Sequence, residues 1–271
     1  VTSASVPLEI EPDAETPGAA VVRVTAEVDG QPVRFVLDAG AAQSQVVMGE
    51  VPMSVADAPQ SFDTRGLFSQ PGRPMGTLGS VRLAGVHRQG LSVTLAEPGN
   101  PVGNLLGVDF LDGHIWTVEF SSARLTAEND EFAAGATNCT WWPMNRGPRG
   151  HVLLSVHWDT VVAAHACWDT GAGVTVVDAG FAGRHPELFT AAGSAHGSDG
   201  VGSAETPMVS LCCPRIGSLR FADSLAAVVD LSEINANLER PLEIILGYPL
   251  LAQADWVIDL RENRWSAGLR P

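Results

Sequence analysis

Two aspartates stand out by their surroundings. Asp38 ends the run Phe35-Val36-Leu37 and is followed by Ala39-Gly40-Ala41, and Asp169 ends Ala166-Cys167-Trp168 and is followed by Thr170-Gly171-Ala172. Each acid leaves a hydrophobic stretch and enters a turn of small residues, where Gly lets the chain bend sharply and brings backbone amides near the carboxylate. Set side by side at about 3 Å, two carboxyls cannot both ionise and hold one proton between them. Such a pair can bind a water, one acid taking its proton while the other gives a proton to a carbonyl oxygen. The chemistry needs no covalent intermediate, no metal and no cofactor, and the pair titrates as a unit.

The elements that must position these acids are read from an internal repeat. The Asp38 and Asp169 segments lie 131 residues apart, and the match runs upstream without a gap, Val22 to Val28 lying over Leu153 to Asp159. Leu78-Gly79-Ser80-Val81-Arg82-Leu83-Ala84 matches Ile216-Gly217-Ser218-Leu219-Arg220-Phe221-Ala222 at a spacing of 138. Leu106-Gly107 through Trp116 and Glu119 matches Leu246-Gly247 through Trp256 and Asp259 at 140. Three blocks in the same order, with small drifts in loops, mean duplication. The halves are expected at 1–135, carrying Asp38, and 136–271, carrying Asp169, joined near Ala133 to Gly150.

Within each half the pattern reads as strands. Val22, Val24, Ala26 and Val28 alternate with other residues at period two, Asp29-Gly30 is a two-residue hairpin signal, and Val33 to Leu37 forms the return strand. Val152 to Trp158 and Val161 to Trp168 repeat the hairpin around Asp159-Thr160. Short helices are expected after each Leu-Gly, over Val108 to Asp112 and Tyr248 to Ala252, and over Ala179 to Phe189. With 28 Gly and 18 Pro as punctuation, the chain reads as all-β with a few short helices.

Composition narrows the partners. The 271 residues carry 31 acidic and 16 basic side chains, every basic one an Arg, for a formal net charge of −15. A chain this acidic is a poor ligand for nucleic acid or an anionic membrane, and its tightest basic cluster is Arg146 with Arg149. No apolar run approaches the ~20 residues of a membrane helix. Cys139, Cys167, Cys212 and Cys213 have no zinc or CxxC spacing and read as small buried hydrophobes. Unpaired cysteines lean the reading toward a reducing, cytoplasmic interior, and a signal segment removed before Val1 would make the protein secreted instead. The Lys-free, Ala-, Gly- and Arg-rich composition points to a GC-rich bacterial gene.

Asp38-Ala39-Gly40, Asp169-Thr170-Gly171, Leu105-Leu106-Gly107 and Ile245-Leu246-Gly247 together resemble the retropepsin and pepsin-type aspartic proteases. In that family the hydrophobic-hydrophobic-Gly element supports the active-site loop. Ala41 and Ala172 are retropepsin-like, whereas two copies in one chain is pepsin-like. The resemblance implies a two-lobe β-barrel fold with pseudo-two-fold symmetry and a cleft between the lobes. It also implies a sheet linking the lobes, supplied by the N-terminal segment, the residues near Trp141 to Pro148 and the C-terminus. A β-hairpin flap should cover the cleft, with candidates at Phe62 to Gly76, containing Arg65-Gly66, and Gly193 to Thr206, containing Gly197 and Gly200. Pepsin-type flaps carry a Tyr, but the one Tyr here, Tyr248, sits in the second Leu-Gly block.

Carried onto these positions, the resemblance makes Asp38 and Asp169 the catalytic dyad, with Gly40, Thr170 and Gly171 shaping the loops. The chain departs from the family at Ala39, where Thr or Ser is usual. In the family two such hydroxyls cross-brace the loops through hydrogen bonds to the opposite lobe, and here only Thr170 has one. A lost hydrogen bond is worth ~1 kcal/mol, but a ~1 Å displacement of catalytic groups costs ~100-fold. The implied function is a monomeric endopeptidase favouring acidic pH, its peptide or protein substrate extended across the cleft as in strand addition. Two alternatives stay open: a repurposed dyad catalysing dehydration, cyclisation or isomerisation of a small molecule, and a catalytically silent binding protein.

The remaining polar residues read as support. Ser44 and Thr175 follow the two acids at the same spacing and are expected to make supporting hydrogen bonds, since no nucleophile elbow surrounds them. His151, His157 and His165 suit no zinc motif and read as core or surface residues. Trp116 and Trp256 are repeat equivalents and read as packing. Asp109, Asp112, Asp255 and Asp259 read as solvated helix ends. Asn138-Cys139-Thr140 is a formal glycosylation sequon.

Overall fold

The structure, a computed structural model, describes residues 3–51, 54–55, 74–129, 132, 140–198, 203–236 and 238–270. Its architecture follows from period-two burial. Along Ala20–Val28, the side chains of Val22, Val24, Ala26 and Val28 are buried while the intervening residues face outward. The strand turns at Asp29 and Gly30, both at positive φ (47° and 82°), the backbone that a tight two-residue hairpin needs, and returns as Gln31–Leu37. In the second half Val152–His157 and Val162–Trp168 form the matching hairpin.

Three sheets result among the described residues. An eight-stranded sheet draws all its strands from Glu9–Pro12 through Leu105–Leu106, and Ala20–Val28 also pairs with Met75–Leu83, which curls the sheet toward closure. A ten-stranded sheet draws its strands from Asn145–Arg146 through Ile244–Leu246. The third, six-stranded, is shared by the two halves. Its order runs Ala4–Pro7, Arg124–Glu128, Ile115–Glu119, Ala254–Asp259, Arg264–Leu269, Trp142–Pro143.

The shared sheet carries the symmetry. Ile115–Glu119 pairs antiparallel with Ala254–Asp259, and Thr117 lies opposite Val257, its own repeat equivalent 140 residues on. A two-fold axis through that point requires such a pairing. Trp116 and Trp256 are both buried, and each donates its indole N–H to a repeat-equivalent carbonyl, Leu111 and Leu251, at 2.8 Å. Trp142 stacks on Trp265 at the far edge, with ring centroids 4.7 Å apart. The N-terminal segment, Trp142–Pro143 and the C-terminal strands therefore build the linking sheet, so part of the expected join is strand.

The short helices fall after each Leu-Gly, at Val108–Leu111 and Tyr248–Leu251. The expected Ala179 to Phe189 helix is two pieces, Ala179–Arg184 and a 3-10 turn Pro186–Leu188, because Pro186 interrupts it. Asp178 caps the first piece, accepting from Phe181 N–H at 2.9 Å.

Two expectations are corrected. Cys167 is buried as anticipated, but Cys213 is exposed and contacts Asp223 Oδ1 at 3.2 Å. The four aspartates are mostly not solvated helix ends. Asp259 is fully buried, accepting from Arg264 Nε at 3.0 Å, and Asp255 accepts from Ser121 N–H at 2.9 Å. Asp112 is exposed but pairs with Arg146 at 2.8 Å, and Asp109 belongs to the site described next. The sequon at Asn138-Cys139 and the flap candidates Arg65, Gly66 and Gly200 lie outside the described residues. Gly197 sits in the strand Phe189–Ser198, opposite Ala204 of a long hairpin with Ser203–Leu211.

Candidate active site

Each acid is positioned by the same local construction. Leu37 pairs in parallel with Leu106, and Trp168 with Leu246. Asp38 N–H then donates to the Leu106 carbonyl at 2.9 Å and Asp169 N–H to the Leu246 carbonyl at 3.1 Å. One turn later Val108 N–H reaches back to the Ala41 carbonyl and Tyr248 N–H to the Ala172 carbonyl, at 2.8 and 2.9 Å. The loop after each acid is thus threaded between a strand and a short helix, and the two loops meet.

At the meeting point Asp38 and Asp169 are hydrogen-bonded to each other. The Gly40 N–H lies 3.0 Å from Asp38 Oδ1 and 3.1 Å from Asp169 Oδ1, so one donor serves both acids. Gly171 N–H donates to Asp169 Oδ1 at 2.8 Å. The approach is close enough to demand glycine. A Cβ on Gly40 would stand 2.6 Å from Asp169 Oδ1, and one on Gly171 would stand 2.7 Å from Asp38 Oδ1.

Asp169 is buried and Asp38 keeps partial exposure. Burial raises both carboxyls above the ordinary aspartate range, Asp38 the more strongly, with the neighbouring Asp169 charge adding to it. Burial outweighs every other influence on both, and neither carboxyl has a salt bridge among the described residues. Asp169 accepts from the backbone of Gly40, Gly171 and Ala172, whereas Asp38 accepts from Gly40 and Ala41. The additional donor favours the ionised form on Asp169, and the pair titrates as a unit.

The surrounding residues bond across the interface and within each half, and Asp109 joins those singled out in the sequence. Thr170 Oγ1 accepts from Ala39 N–H at 3.1 Å across the interface between halves. Ala39 has no hydroxyl to return the bond, so the cross-brace has one arm. Behind it lies an apolar cavity of about 20 Å³, bordered by Leu37, Ala39, Trp168 and Thr170, and Trp168 Nε1 is buried without a partner among the described residues. Ser44 Oγ accepts from Gly107 N–H at 3.0 Å and Thr175 Oγ1 accepts from Gly247 N–H at 3.2 Å. The addition is Asp109. It accepts from Ser44 Oγ at 2.7 Å and from Ser44 N–H at 3.0 Å, and burial raises its pKa.

The sequence places His151 only as a core or surface residue. It is buried, its Nε2 has no partner among the described residues, and its ring lies against the Gly40 backbone. Burial, helped by Arg149 and Arg146, lowers its pKa to about 4.

No protein-family model matches the sequence, and neither does any curated protein sequence. Solved structures do match along its whole length. A basic 7S globulin from soybean superposes with TM-score 0.55 at 11% identity, over 99% of this chain and 96% of that one. Conglutin gamma, a basic 7S globulin from lupine seeds, gives 0.53 at 10% identity, over 99% and 95%. An aspartic proteinase from Irpex lacteus gives 0.55 at 13% identity, over 99% and 97%. The fold is therefore the mainly β, pepsin-like two-lobe fold, a likeness shared by a proteinase and by proteins described as globulins.

Proposed function

We propose that the protein is an aspartic endopeptidase whose dyad is Asp38 and Asp169, in the two lobes 1–135 and 136–271. The observation that carries this reading is the pair itself: two carboxyls, Asp169 buried and Asp38 partly exposed, hydrogen-bonded to each other and sharing the Gly40 N–H, with no salt bridge to either among the described residues. A structural carboxylate would be neutralised by Arg, as Asp259 is. This pair is neutralised by half, through one proton.

In the reaction Asp169, ionised and held by backbone N–H groups, takes a proton from a water lying between the acids. The resulting hydroxide forms a bond to the scissile carbonyl carbon while Asp38 gives its proton to the carbonyl oxygen. Asp169 now holds the proton taken from water and delivers it to the leaving nitrogen as the C–N bond breaks. A proton from the tetrahedral hydroxyl returns to Asp38. Only the singly protonated pair works. Turnover falls at low pH, when the second carboxyl is protonated, and at high pH, when the shared proton is lost. The raised carboxyls move this window upward from the ordinary aspartate range.

Digestion of a mixed peptide library from acidic to neutral pH tests the reading. Expected are cleavage blocked by a statine-type transition-state mimic and loss of cleavage in Asp38→Asn and Asp169→Asn with the fold retained. Undiminished cleavage by Asp169→Asn overturns the mechanism. The one-armed cross-brace at Ala39 favours a second reading, acid-base chemistry on a small molecule with the same dyad. A folded protein that binds the mimic and cleaves no peptide would support it.

A further inference from the structure

Beside the dyad lies a second feature that the hydrolytic step does not use. A cavity of about 360 Å³ opens between Asn145–Leu153 and the segment 238–242. Its inner wall holds His151, only 5% exposed, with Nε2 unpartnered among the described residues. A buried ring nitrogen without a partner is costly, and native structures rarely leave one so unless something else satisfies it. The same ring rests on the backbone of Gly40, the residue whose N–H spans both carboxyls. His151 therefore joins the cavity lining to the loop that carries Gly40 beside the dyad.

The lining states what would fit. Leu153, Leu238 and Leu242 supply an apolar wall, suited to a methylene stem. The charged groups around His151 are mostly positive. Arg146 and Arg149 both act on the ring, and Arg240 stands at the exposed rim. Arg146 is held by Asp112 and by the carbonyls of Gly150 and Leu260, so its guanidinium is fixed in place. Opposing them are Glu239, also on the exposed rim beside Arg240, and Asp112, which is exposed and engaged with Arg146. Among the described lining residues, Glu239 at the rim is the one carboxylate.

We propose that this cavity is a specificity subsite that takes the carboxylate side chain of a Glu or Asp in an extended peptide, with His151 Nε2 donating to it and Arg240 closing over it. The inference rests on the peptidase reading for the class of substrate. With Nδ1 donating to the Gly40 backbone, Nε2 donates to the carboxylate once the ring is protonated. Burial first, and then the Arg149 and Arg146 charges, keep the ring neutral; a bound carboxylate offsets those charges, so the ring gains a proton more readily when the subsite is filled.

The test uses the full chain and short alanine–valine peptides carrying one Glu, Gln or Leu at each position in turn. Binding is measured by calorimetry on the Asp169→Asn variant, which holds peptide without turning it over, and the His151 ring is followed by nitrogen NMR. Expected is a position at which the Glu peptide binds about tenfold tighter than its Gln twin, with the His151 titration moving upward from about 4. His151→Gln should erase that preference and leave the Leu peptide unaffected. Arg240→Glu, on the exposed rim where folding is not at stake, should reverse it. Equal binding of Glu and Gln peptides at every position, an unmoved ring resonance, or an unchanged preference in Arg240→Glu overturns the subsite. Turnover by the unaltered protein separates the two readings. Cleavage without Glu preference overturns the subsite alone. Glu-selective binding without cleavage overturns the peptidase and leaves the subsite standing. Failure of every peptide to bind overturns both.

Discussion

The loop after Asp38 and the loop after Asp169 begin with the same strand, the same Leu-Gly partner and the same hydroxyl six residues on, yet they are anchored differently. Ser44 is gripped by Asp109, from the helix of its own half. At the equivalent of Asp109 the second half has Pro249, and Thr175 bonds Gly247 without an acidic partner. Across the interface the balance reverses. Thr170 reaches over to Ala39 N–H, and Ala39 has nothing to send back. The loop that gives no brace to its neighbour is the one clamped from its own side. Duplication lets the two halves hold their acids by separate means, provided the carboxyls still meet.

Substitutions separate what the two loops share from what each does alone. The largest effect is expected at the feature the loops share. Gly40→Ala and Gly171→Ala each drive a methyl into the opposite acid, at 2.6 and 2.7 Å from its Oδ1. Both should cut turnover by at least about a thousandfold with the circular dichroism of the fold retained. A loss in only one of them would show that the halves do not contribute equally. Next comes the clamp. Asp109→Ala strands the Ser44 N–H and hydroxyl in a buried place and should cost about 3 kcal/mol, read as a fall in thermal midpoint. Pro249→Ala should cost far less. Equal losses would remove the asymmetry.

Ala39→Thr is expected to work in the opposite direction. The cavity of about 20 Å³ beside Ala39 leaves room for added atoms, and the new hydroxyl can complete the cross-brace. A gain of about 1 kcal/mol in stability and a rise in kcat with KM unchanged would show that the missing arm limits catalysis. The smallest effect concerns protons. Burial raises the Asp38 carboxyl in the folded state, so the folded chain holds that proton more tightly than the unfolded one. The resulting stabilisation is complete below the unfolded carboxyl range and drains away as pH rises through the raised value. An amide in place of this carboxyl does not titrate. The thermal midpoint of Asp38→Asn should therefore gain on the unaltered protein as pH rises, and a constant difference would contradict the buried shared proton.

Much of this was legible in residue types. The repeat offsets lead from Asp38 to Asp169 and from Trp116 to Trp256, and Asp29-Gly30 announces a hairpin because few other pairs tolerate its backbone. Ser44 and Thr175 were readable as supports from their matched spacing. Asp109 was not, because its partner lies 65 residues away and an acid early in a short helix has a cheaper local explanation. Its signal was the mismatch with Pro249: an acid present in one copy and absent from the other. Asp259 hid similarly, its burial depending on Arg264 across a turn. His151 gave no sign in the sequence, since an orphaned nitrogen is a property of what folds around it.

The shared sheet has a consequence for biosynthesis. One edge of Ile115–Glu119 pairs close by with Arg124–Glu128, but the other finds its partner in Ala254–Asp259, well over a hundred residues later. A chain still leaving the ribosome must carry that strand with one edge open, a ready template for joining to a neighbouring copy. Until the second half has emerged, Asp38 faces no companion.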